Sequence, residues 1–223
     1  MNHQAKLIVF DWDGTLMDSE ARIVGCLRRS IADVGLASRE DSELRNIIGL
    51  GLREALEQLF PAISEADYEA LTERYRFHFL GNAGETSKLF SGARELVEDL
   101  HASDYFLAIA TGKARRGLTR TLEDTGLGKY FHYTRCADET HSKPHPQMML
   151  DIIDWFGLEA EDAIMIGDTE YDMQMATTAG AQAVAVSYGV HEKKRLLSCN
   201  PIACVDSVEE LRRWLFNEKV DAA

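Results

Sequence analysis

Two aspartates near the start of the chain have the type and spacing needed for phosphate chemistry. Asp11 and Asp13 follow the apolar run Leu7–Phe10 in the sequence Asp-Trp-Asp-Gly-Thr. One aspartate can attack phosphorus as a nucleophile, and the second can protonate a leaving alcohol and then deprotonate water. Because successive side chains of a strand point to opposite faces, the chain must turn sharply after Asp11, and Gly14 allows such a turn.

Further polar groups follow three later apolar segments. They are Thr111 and Gly112 after residues 105–110, Lys143 after residues 131–136, and Asp168 and Asp172 after residues 163–166. Four carboxylates gathered in one place would repel one another. Oxygen ligands of this kind suit Mg²⁺, which binds one or two carboxylates, waters and substrate phosphate. Lys143, Thr111 and the Gly112 amide at a helix start suit an anion.

The segments that carry these groups alternate with predicted helices after residue 85. The predicted strands are 105–110, 131–136, 163–166 and 181–187, and the predicted helices are 94–101, 113–124, 146–156, 171–179 and 207–216. This alternation is typical of an α/β fold with a doubly wound parallel sheet covered on both faces. Ligands bind beyond the carboxyl ends of such strands, so the polar groups would meet at one edge.

Residues 17–84 interrupt this pattern because they look helical throughout. Apolar side chains recur there at helical spacing, as in Ile23, Leu27 and Ile31. A lone first strand cannot bury its backbone, so it must join the later sheet. We therefore predict a catalytic α/β core of residues 1–16 and 85–223 and an inserted helical domain of residues 17–84, with residues 81–84 as a linker.

The composition disfavours several classes of protein. The chain has 223 residues, of which 45% are apolar and 27% charged, as in soluble globular proteins. Its apolar runs are far shorter than the roughly 20 residues that cross a bilayer, and no signal peptide is recognisable. The net charge of −13 disfavours nucleic-acid and membrane partners. Four scattered cysteines without a C-x-x-C pair predict a reduced, cytoplasmic protein.

Taken together, the four groups of residues resemble the motifs of the haloacid dehalogenase superfamily, and they stand in its order. The motifs are Asp11-Trp12-Asp13-Gly14-Thr15, Thr111-Gly112, the lysine of Ser142-Lys143-Pro144-His145-Pro146, and Gly167-Asp168-Thr169-Glu170-Tyr171-Asp172. The resemblance covers nearly the whole chain. It is strongest to phosphoglycolate phosphatases and their relatives with a small helical cap, and residues 17–84 lie where these relatives place the cap. The implied fold is a Rossmann-like core with an inserted α-helical cap domain.

The resemblance also implies a role for each residue. Asp11 would be the nucleophile and a Mg²⁺ ligand, and Asp13 the general acid/base that gives the metal its backbone carbonyl. The groups that would hold the phosphoryl oxygens are Thr111, Gly112 and Lys143. Asp168 would ligate the metal, and Asp172 would steady those ligands or Lys143. Arg53 stands at a position resembling the cap loop that some relatives use to touch substrate.

These features predict a Mg²⁺-dependent phosphatase of small phosphorylated metabolites, similar to phosphoglycolate, that acts through an aspartyl-phosphate on Asp11. Asp13 favours this activity over dehalogenation, which needs no proton for the leaving group. The expected partner is a small phosphate ester, and the expected state is a monomer or homodimer. A sugar phosphomutase similar to β-phosphoglucomutase is the alternative, because it would share every core residue. A catalytically idle binding protein on this fold is less favoured, since both aspartates are present.

Several residues also have simpler interpretations. Arg53 is equally well read as a surface arginine of a helix, and Asp172 could be an ordinary acid of a first helical turn. Lys113 is interpreted as a solvated loop lysine and completes no phosphate-binding P-loop, because Leu107 stands where that motif needs glycine. His145 could line the mouth of the site, and Trp12 is expected to pack near the turn.

Overall fold

A six-stranded parallel sheet forms the centre of the computed structural model, which describes residues 5–81 and 87–217. In chain order the strands of the described residues are β1 (Leu7–Phe10), β2 (Met17–Asp18), β3 (Lys88–Leu89), β4 (Phe106–Thr111), β5 (Tyr133–Cys136), β6 (Ala163–Gly167), β7 (Gln182–Val186) and β8 (Ala203–Val205). Two of them, β2 and β3, pair with each other outside the six-stranded sheet. The strand order in the sheet is β5-β4-β1-β6-β7-β8. The predicted α/β class with a doubly wound parallel sheet is therefore confirmed.

The described ranges contain ten α-helices. They are α1 (Glu20–Val34), α2 (Asp41–Asn46), α3 (Leu52–Leu59), α4 (Glu65–Gly81), α5 (Ala93–Ala102), α6 (Arg115–Thr125), α7 (Gln147–Phe156), α8 (Glu170–Thr178), α9 (Lys193–Leu197) and α10 (Val208–Leu215). Local signals set several of their ends. The Thr169 hydroxyl caps the start of α8, and the Ser207 hydroxyl caps the start of α10. None of the described helices is long and apolar enough to cross a membrane.

The central position of β1 explains its unbroken apolar sequence. Ile8 and Phe10 belong to the apolar cluster on one face of the sheet, which includes side chains of α5 and α10. Leu7 and Val9 belong to the cluster on the other face, which includes side chains of α7 and α8. Both faces of the strand are thus buried, and the first polar position is Asp11, directly after the strand ends.

The helices α1 to α4 form the predicted insertion and have an apolar cluster of their own. Members of that cluster include Ile23, Leu27, Leu44, Leu56 and Leu71. Where the chain leaves and re-enters the core, β2 and β3 pair antiparallel, with Met17 opposite Leu89 and Asp18 opposite Lys88. The separate cluster supports the predicted division into two domains, which stays a prediction. Residues 82–84 of the predicted linker and the boundary at residue 84 lie outside the described residues.

The structure corrects the sequence-based elements at several points. Residues 17–18 are a short strand rather than the start of a helical region, and β8 and α9 were not predicted. Strands of two or three residues and a helix of five have no room for a recognisable period. The other predicted elements exist, with ends that differ by one or two residues.

Candidate active site

The register of the sheet brings the predicted site residues to one edge. β1 lies between β4 and β6, and Phe10 stands opposite Ile109 on one side and Ile166 on the other. The amide of Asp11 donates a hydrogen bond to the carbonyl of Ile166 at 2.9 Å. Three of the predicted groups, Asp11, Thr111 and Asp168, therefore end up beside one another at the carboxyl edge.

Three buried aspartates and one buried lysine form the centre of this edge. Carboxylate oxygens of Asp11, Asp168 and Asp172 lie within 4.8 Å of one another. Lys143 Nζ donates hydrogen bonds to Asp11 Oδ1 and to Asp172 Oδ1, each at 2.6 Å. One lysine offsets only one of the three carboxylates, so the cluster keeps an excess of negative charge when all its groups are ionised.

The remaining oxygens of Asp172 and Asp168 already have partners. Asp172 Oδ2 accepts hydrogen bonds from the Thr169 amide at 3.1 Å and from the Thr169 hydroxyl at 2.6 Å. Asp168 accepts one bond on each oxygen, from the Thr15 hydroxyl at 2.9 Å and from the Val190 amide at 2.8 Å. Asp172 is thus held by the start of α8 and by Lys143. This position agrees with the predicted role of Asp172 in steadying Lys143.

Asp11 differs from its neighbours because one of its oxygens has no partner. Asp11 Oδ2 is buried and accepts no hydrogen bond from the described residues. A buried acceptor without a partner is costly, and a divalent cation would satisfy it. The hard oxygens of Asp11 and Asp168 suit such a cation, so the cluster fits the predicted metal site in its donor chemistry.

The electrostatics of the cluster also favour an added positive charge. Burial raises the pKa of Asp11 to about 7, although Lys143 beside it pulls that pKa down. Burial, helped by the charges of Asp11 and Asp172, raises the pKa of Asp168 well above its ordinary value. Burial lowers the pKa of Lys143, but its two carboxylate partners outweigh burial and raise it overall. Lys143 therefore stays charged, while Asp11 and Asp168 resist ionisation.

The side chain of Asp13 lies apart from the three-aspartate cluster. The Ser19 hydroxyl donates to Asp13 Oδ1 at 2.6 Å, and Lys113 Nζ lies 2.8 Å from Asp13 Oδ2. The sharp turn occurs at Gly14, which has φ +85°, and a Cβ there would lie 2.2 Å from Asp168 Oδ2. The predicted turn is therefore present, and Asp11 and Asp13 line the same cavity although their side chains have different partners. Any contact of Asp13 with a metal through its carbonyl stays a prediction.

Lys113 is the clearest correction to the sequence-based interpretation. It was expected to be a solvated loop lysine, but its side chain is only 10% exposed and pairs with Asp13. Its ammonium group also lies 4.8 Å from the centre of the Phe79 ring, which belongs to α4. Lys113 therefore joins the catalytic edge to the helical insertion. The pairing of Lys113 with Asp13, 100 positions away in the sequence, is visible only in the structure. No sequence motif predicts it.

The loop between α2 and α3 (residues 47–51) covers the second predicted motif. A Cβ on Gly112 would lie 2.4 Å from the carbonyl oxygen of Leu50 and 2.6 Å from that of Gly49, so this close approach requires glycine. The Gly51 amide donates to the Ser142 hydroxyl at 2.6 Å. Thr111 is buried next to this contact. The insertion therefore closes directly over the edge of the sheet.

A network of core side chains holds Asn46, just before that loop. The Tyr171 hydroxyl donates to the Asn46 carbonyl at 2.8 Å, and Arg195 donates to the Asn46 side-chain oxygen. Arg195 is itself paired with Glu170. His191 accepts from the Glu170 amide through Nδ1 at 3.1 Å, which leaves Nε2 facing the Asn46 carbonyl at 3.4 Å. Asn46 thus fixes the α2–α3 loop to the core.

A cavity of about 620 Å³ lies between the insertion and the sheet edge. We call its polar end the site floor. Asp11, Asp13, Thr111, Gly112 and Lys113 line the cavity there, and the floor also includes the buried Lys143, Asp168 and Asp172 beside Asp11. We call its opposite side the cap wall, which consists of Ile23, Leu27, Leu52, Tyr75 and Phe79. Polar and apolar halves of this kind are typical of sites for small organic ligands.

Three arginines also line the cavity. Arg53 is one of them, but it pairs with Glu65 at 2.9 Å and with Glu57 at 3.5 Å, and its guanidinium stacks 4.0 Å from the Tyr68 ring centre. Its charge is therefore largely offset within the insertion. Its contact with substrate stays a prediction. Arg76 and Arg116 are exposed lining residues that the sequence did not single out.

His145 and Trp12 are two further residues that the sequence analysis considered near the site. His145 stacks against His141, with ring centres 4.4 Å apart, and is not one of the residues that line the cavity. Trp12 is fully buried and packs edge-on against Phe131 near the turn, as expected.

The sequence of this chain is similar to a family model and to several named proteins. The family model described as haloacid dehalogenase-like hydrolase matches residues 8–186. The probable phosphatase IndB of Dickeya dadantii is 32% identical over 209 residues, covering 92% of this chain and 91% of that protein. A phosphoglycolate phosphatase of Agrobacterium fabrum is 29% identical, covering 96% of this chain and 94% of that one.

The solved structures agree in fold. A hydrolase from Pseudomonas syringae superposes with a TM-score of 0.87, covering 96% of this chain and 99% of the other at 22% identity. At that identity the likeness concerns the fold, and it extends over both the sheet and the helical insertion.

Proposed function

The chain belongs to the haloacid dehalogenase-like hydrolase family, and we propose that it is a Mg²⁺-dependent phosphatase of small phosphorylated metabolites. The observation that carries the proposal is the buried, unpartnered oxygen of Asp11, which lies beside Lys143 and Asp168 at the polar end of the cavity. The relatives named as phosphatases support the same activity.

In the first proposed step, a carboxylate oxygen of Asp11 attacks the phosphorus of the ester. A bond forms between that oxygen and phosphorus, the bond from phosphorus to the alcohol oxygen breaks, and Asp13 gives a proton to the alcohol. Asp11 must be ionised to attack, but burial raises its pKa to about 7. Positive charge at the cluster therefore favours the reactive form.

In the second proposed step, Asp13 takes a proton from water while the water oxygen attacks the phosphorus of the aspartyl-phosphate. The bond between phosphorus and Asp11 breaks, inorganic phosphate leaves, and both aspartates return to their starting states. Lys113 and Ser19 hold the Asp13 carboxylate at the cavity, which is the position that both proton transfers require.

Asp11, Asp168 and the Asp13 carbonyl would hold the metal, with Asp172 as support. Bound there, Mg²⁺ would offset the negative charge of the phosphoryl oxygens and favour ionised Asp11. Thr111, the Gly112 amide and Lys143 are proposed to contact the phosphoryl oxygens. The net charge of −13 would repel an anionic substrate.

Local cations counter that overall repulsion. Lys113 lies at the site floor, and the exposed Arg76 and Arg116 line the same cavity. Cations around a cleft attract an anion more strongly than the net charge suggests, because the cleft focuses their field. Lys113, Arg76 and Arg116 therefore add positive charge at the cavity, which helps to draw in an anionic substrate.

The proposal is tested by release of inorganic phosphate from 4-nitrophenyl phosphate with and without Mg²⁺. We expect turnover that is lost with a chelator and restored when Mg²⁺ is added in excess. Absence of turnover with every ester and every divalent cation would contradict the proposal. Interconversion of two sugar phosphates without net phosphate release would instead identify the phosphomutase.

A further inference from the structure

The cavity is larger than a two-carbon phosphorylated acid needs. Its volume of about 620 Å³ lies within the range of roughly 300–1,000 Å³ that is typical of sites for ligands of drug size. The site floor occupies only one end. The remaining space lies against α1, α3 and α4, where the lining side chains are mainly apolar or aromatic.

A short acid would also lack a second anion site near the floor. Lys113 is paired with Asp13 at 2.8 Å. In the loop over the floor, the Leu50 amide donates to the Ile47 carbonyl and the Gly51 amide donates to Ser142. A carboxylate two carbons away from the phosphoryl group would therefore find Lys113 and these two amides already paired. The other cations that line the cavity are the exposed Arg76 and Arg116.

An aromatic pair from α4 stands on the cap wall instead. The rings of Tyr75 and Phe79 stack with centres 5.6 Å apart and planes 26° apart. Arg22 and Lys113 lie 4.5 Å and 4.8 Å from the centre of the Phe79 ring, so this ring is fixed in place. A rigid aromatic surface of this kind suits a planar ring of a ligand.

Tyr75 adds a polar group at the same place. Its hydroxyl makes no hydrogen bond to the described residues. Burial, together with the nearby charge of Asp13, raises the pKa of the phenol, so the hydroxyl stays a hydrogen-bond donor. Tyr75 is half-buried on the cavity wall, so its hydroxyl can donate to a hydroxyl or carbonyl oxygen of a ligand.

Resting on the proposed phosphatase function, we infer that the substrate is the phosphate monoester of an alcohol that carries a ring. The phosphoryl group lies at Asp11, the ring packs against Tyr75 and the apolar side chains of α1 and α3, and a polar oxygen of the organic part accepts a hydrogen bond from Tyr75. Phosphoglycolate itself is then a poor substrate, although the reaction at phosphorus is unchanged.

The test compares kcat/KM for primary alkyl phosphates, so that the alcohols leave with similar ease. The panel is 2-phosphoglycolate, glycerol 3-phosphate, 2-phenylethyl phosphate and a nucleoside 5′-monophosphate. We expect at least one of the two ring-bearing esters to exceed both short esters by about tenfold or more. A preference for a short ester would overturn the inference while leaving the phosphatase function intact. If neither the four esters of the panel nor an aryl phosphate were hydrolysed, the proposed function itself would be contradicted.

Two substitutions in the cap wall connect that preference to the cavity. Leu52→Trp fills part of the cavity and should lower the ratio of ring-bearing to short-ester kcat/KM by about tenfold. Tyr75→Phe removes one hydrogen bond and should lower the ratio of nucleotide to glycerol phosphate by about three- to tenfold. Phe77→Leu is the matched control, because Phe77 is an exposed aromatic of the same helix that does not line the cavity. An unchanged ratio in both cap-wall variants would overturn the assignment of the ring to this wall.

Discussion

The site floor and the cap wall face each other across one cavity but are built on different principles. At the floor, almost every polar atom has a partner from another strand or loop, as in the bonds from Lys143 to Asp11 and Asp172. On the wall, apolar side chains dominate, and the Tyr75 hydroxyl makes no hydrogen bond to the described residues. The floor therefore has the features of reaction chemistry, and the wall those of ligand selection.

This contrast predicts that the wall tolerates substitution better than the floor. Charged groups at the floor need fixed partners, because an unpaired buried charge is costly. Apolar packing on the wall tolerates exchange of one hydrophobic side chain for another. Four predictions test how independent the floor and the wall are.

The largest effect is expected from Asp11→Asn, which removes the proposed nucleophile. Phosphate release should fall by about a thousandfold or more for every ester, with no change in the order of preference. Asparagine keeps the shape and removes a buried charge, so the variant should fold, as circular dichroism can check. Full turnover by this variant would show that the floor does not act through Asp11.

Lys143→Met tests how much the floor depends on its single buried cation. The substitution leaves Asp11 and Asp172 without their shared donor, and removal of one partner of a buried pair costs about 3–5 kcal/mol. Urea unfolding of the metal-free protein at neutral pH measures that loss. Lys193→Met is the matched control, because the ion pair of Lys193 with Asp206 is exposed and its loss should change stability little. Equal losses in the two variants would contradict the contrast.

Lys113→Met tests the side chain that joins the floor to the wall. Without Lys113, Asp13 loses its ion pair and Phe79 loses one of its two cations. We expect kcat to fall by about 10- to 100-fold, because proton transfer needs a positioned Asp13, while the unfolding midpoint changes little. Lys129→Met, at an exposed site near Tyr130, is the control. Unchanged kcat for all esters would return Lys113 to the role of an ordinary loop lysine.

The smallest effect is a dependence of metal stabilisation on pH. Asp11 has a pKa of about 7 in the fold and about 4 when unfolded. The folded state therefore binds more protons between these values, and the unfolding free energy of the metal-free protein falls as pH rises through that window. Mg²⁺ binds the ionised form, so it should raise Tm more at pH 8 than at pH 5, by about 5 °C.

Differential scanning calorimetry of wild type and Asp11→Asn at both pH values measures this dependence. The variant lacks the titrating carboxyl and should show a smaller difference between the two pH values. An equal Mg²⁺-induced change in Tm at pH 5 and pH 8 in the wild type would contradict the assignment of Asp11 to the cation site.

The sequence predicted the floor better than the wall for a local reason. Asp11, Thr111 and Asp168 each stand at or directly after the end of an apolar strand, and parallel strands bring their carboxyl ends to one edge. Asp11, Thr111 and Asp168 could therefore be placed together before any coordinates were known. The partner of Lys113 could not, because nothing in the sequence near residue 113 refers to Asp13 or Phe79.

The same limit applies to the short elements and to the contacts of the insertion. β8 and α9 have too few residues to show a period. The network around Asn46 joins α2 to Tyr171, His191 and Arg195 from distant parts of the chain. Arg53 was identified as a cavity residue, but its neutralisation by Glu57 and Glu65 depends on how α3 and α4 pack.

By itself, the sequence determined the fold class, the order of the motifs and the residue types of the floor, because these depend on strand pattern and residue type. Only the tertiary structure decided that Asp13 pairs with Lys113, and that a cavity of about 620 Å³ with an aromatic wall lies between the insertion and the sheet edge. Side-chain partners and enclosed space arise where separate elements pack together, and no local pattern along the chain records that packing.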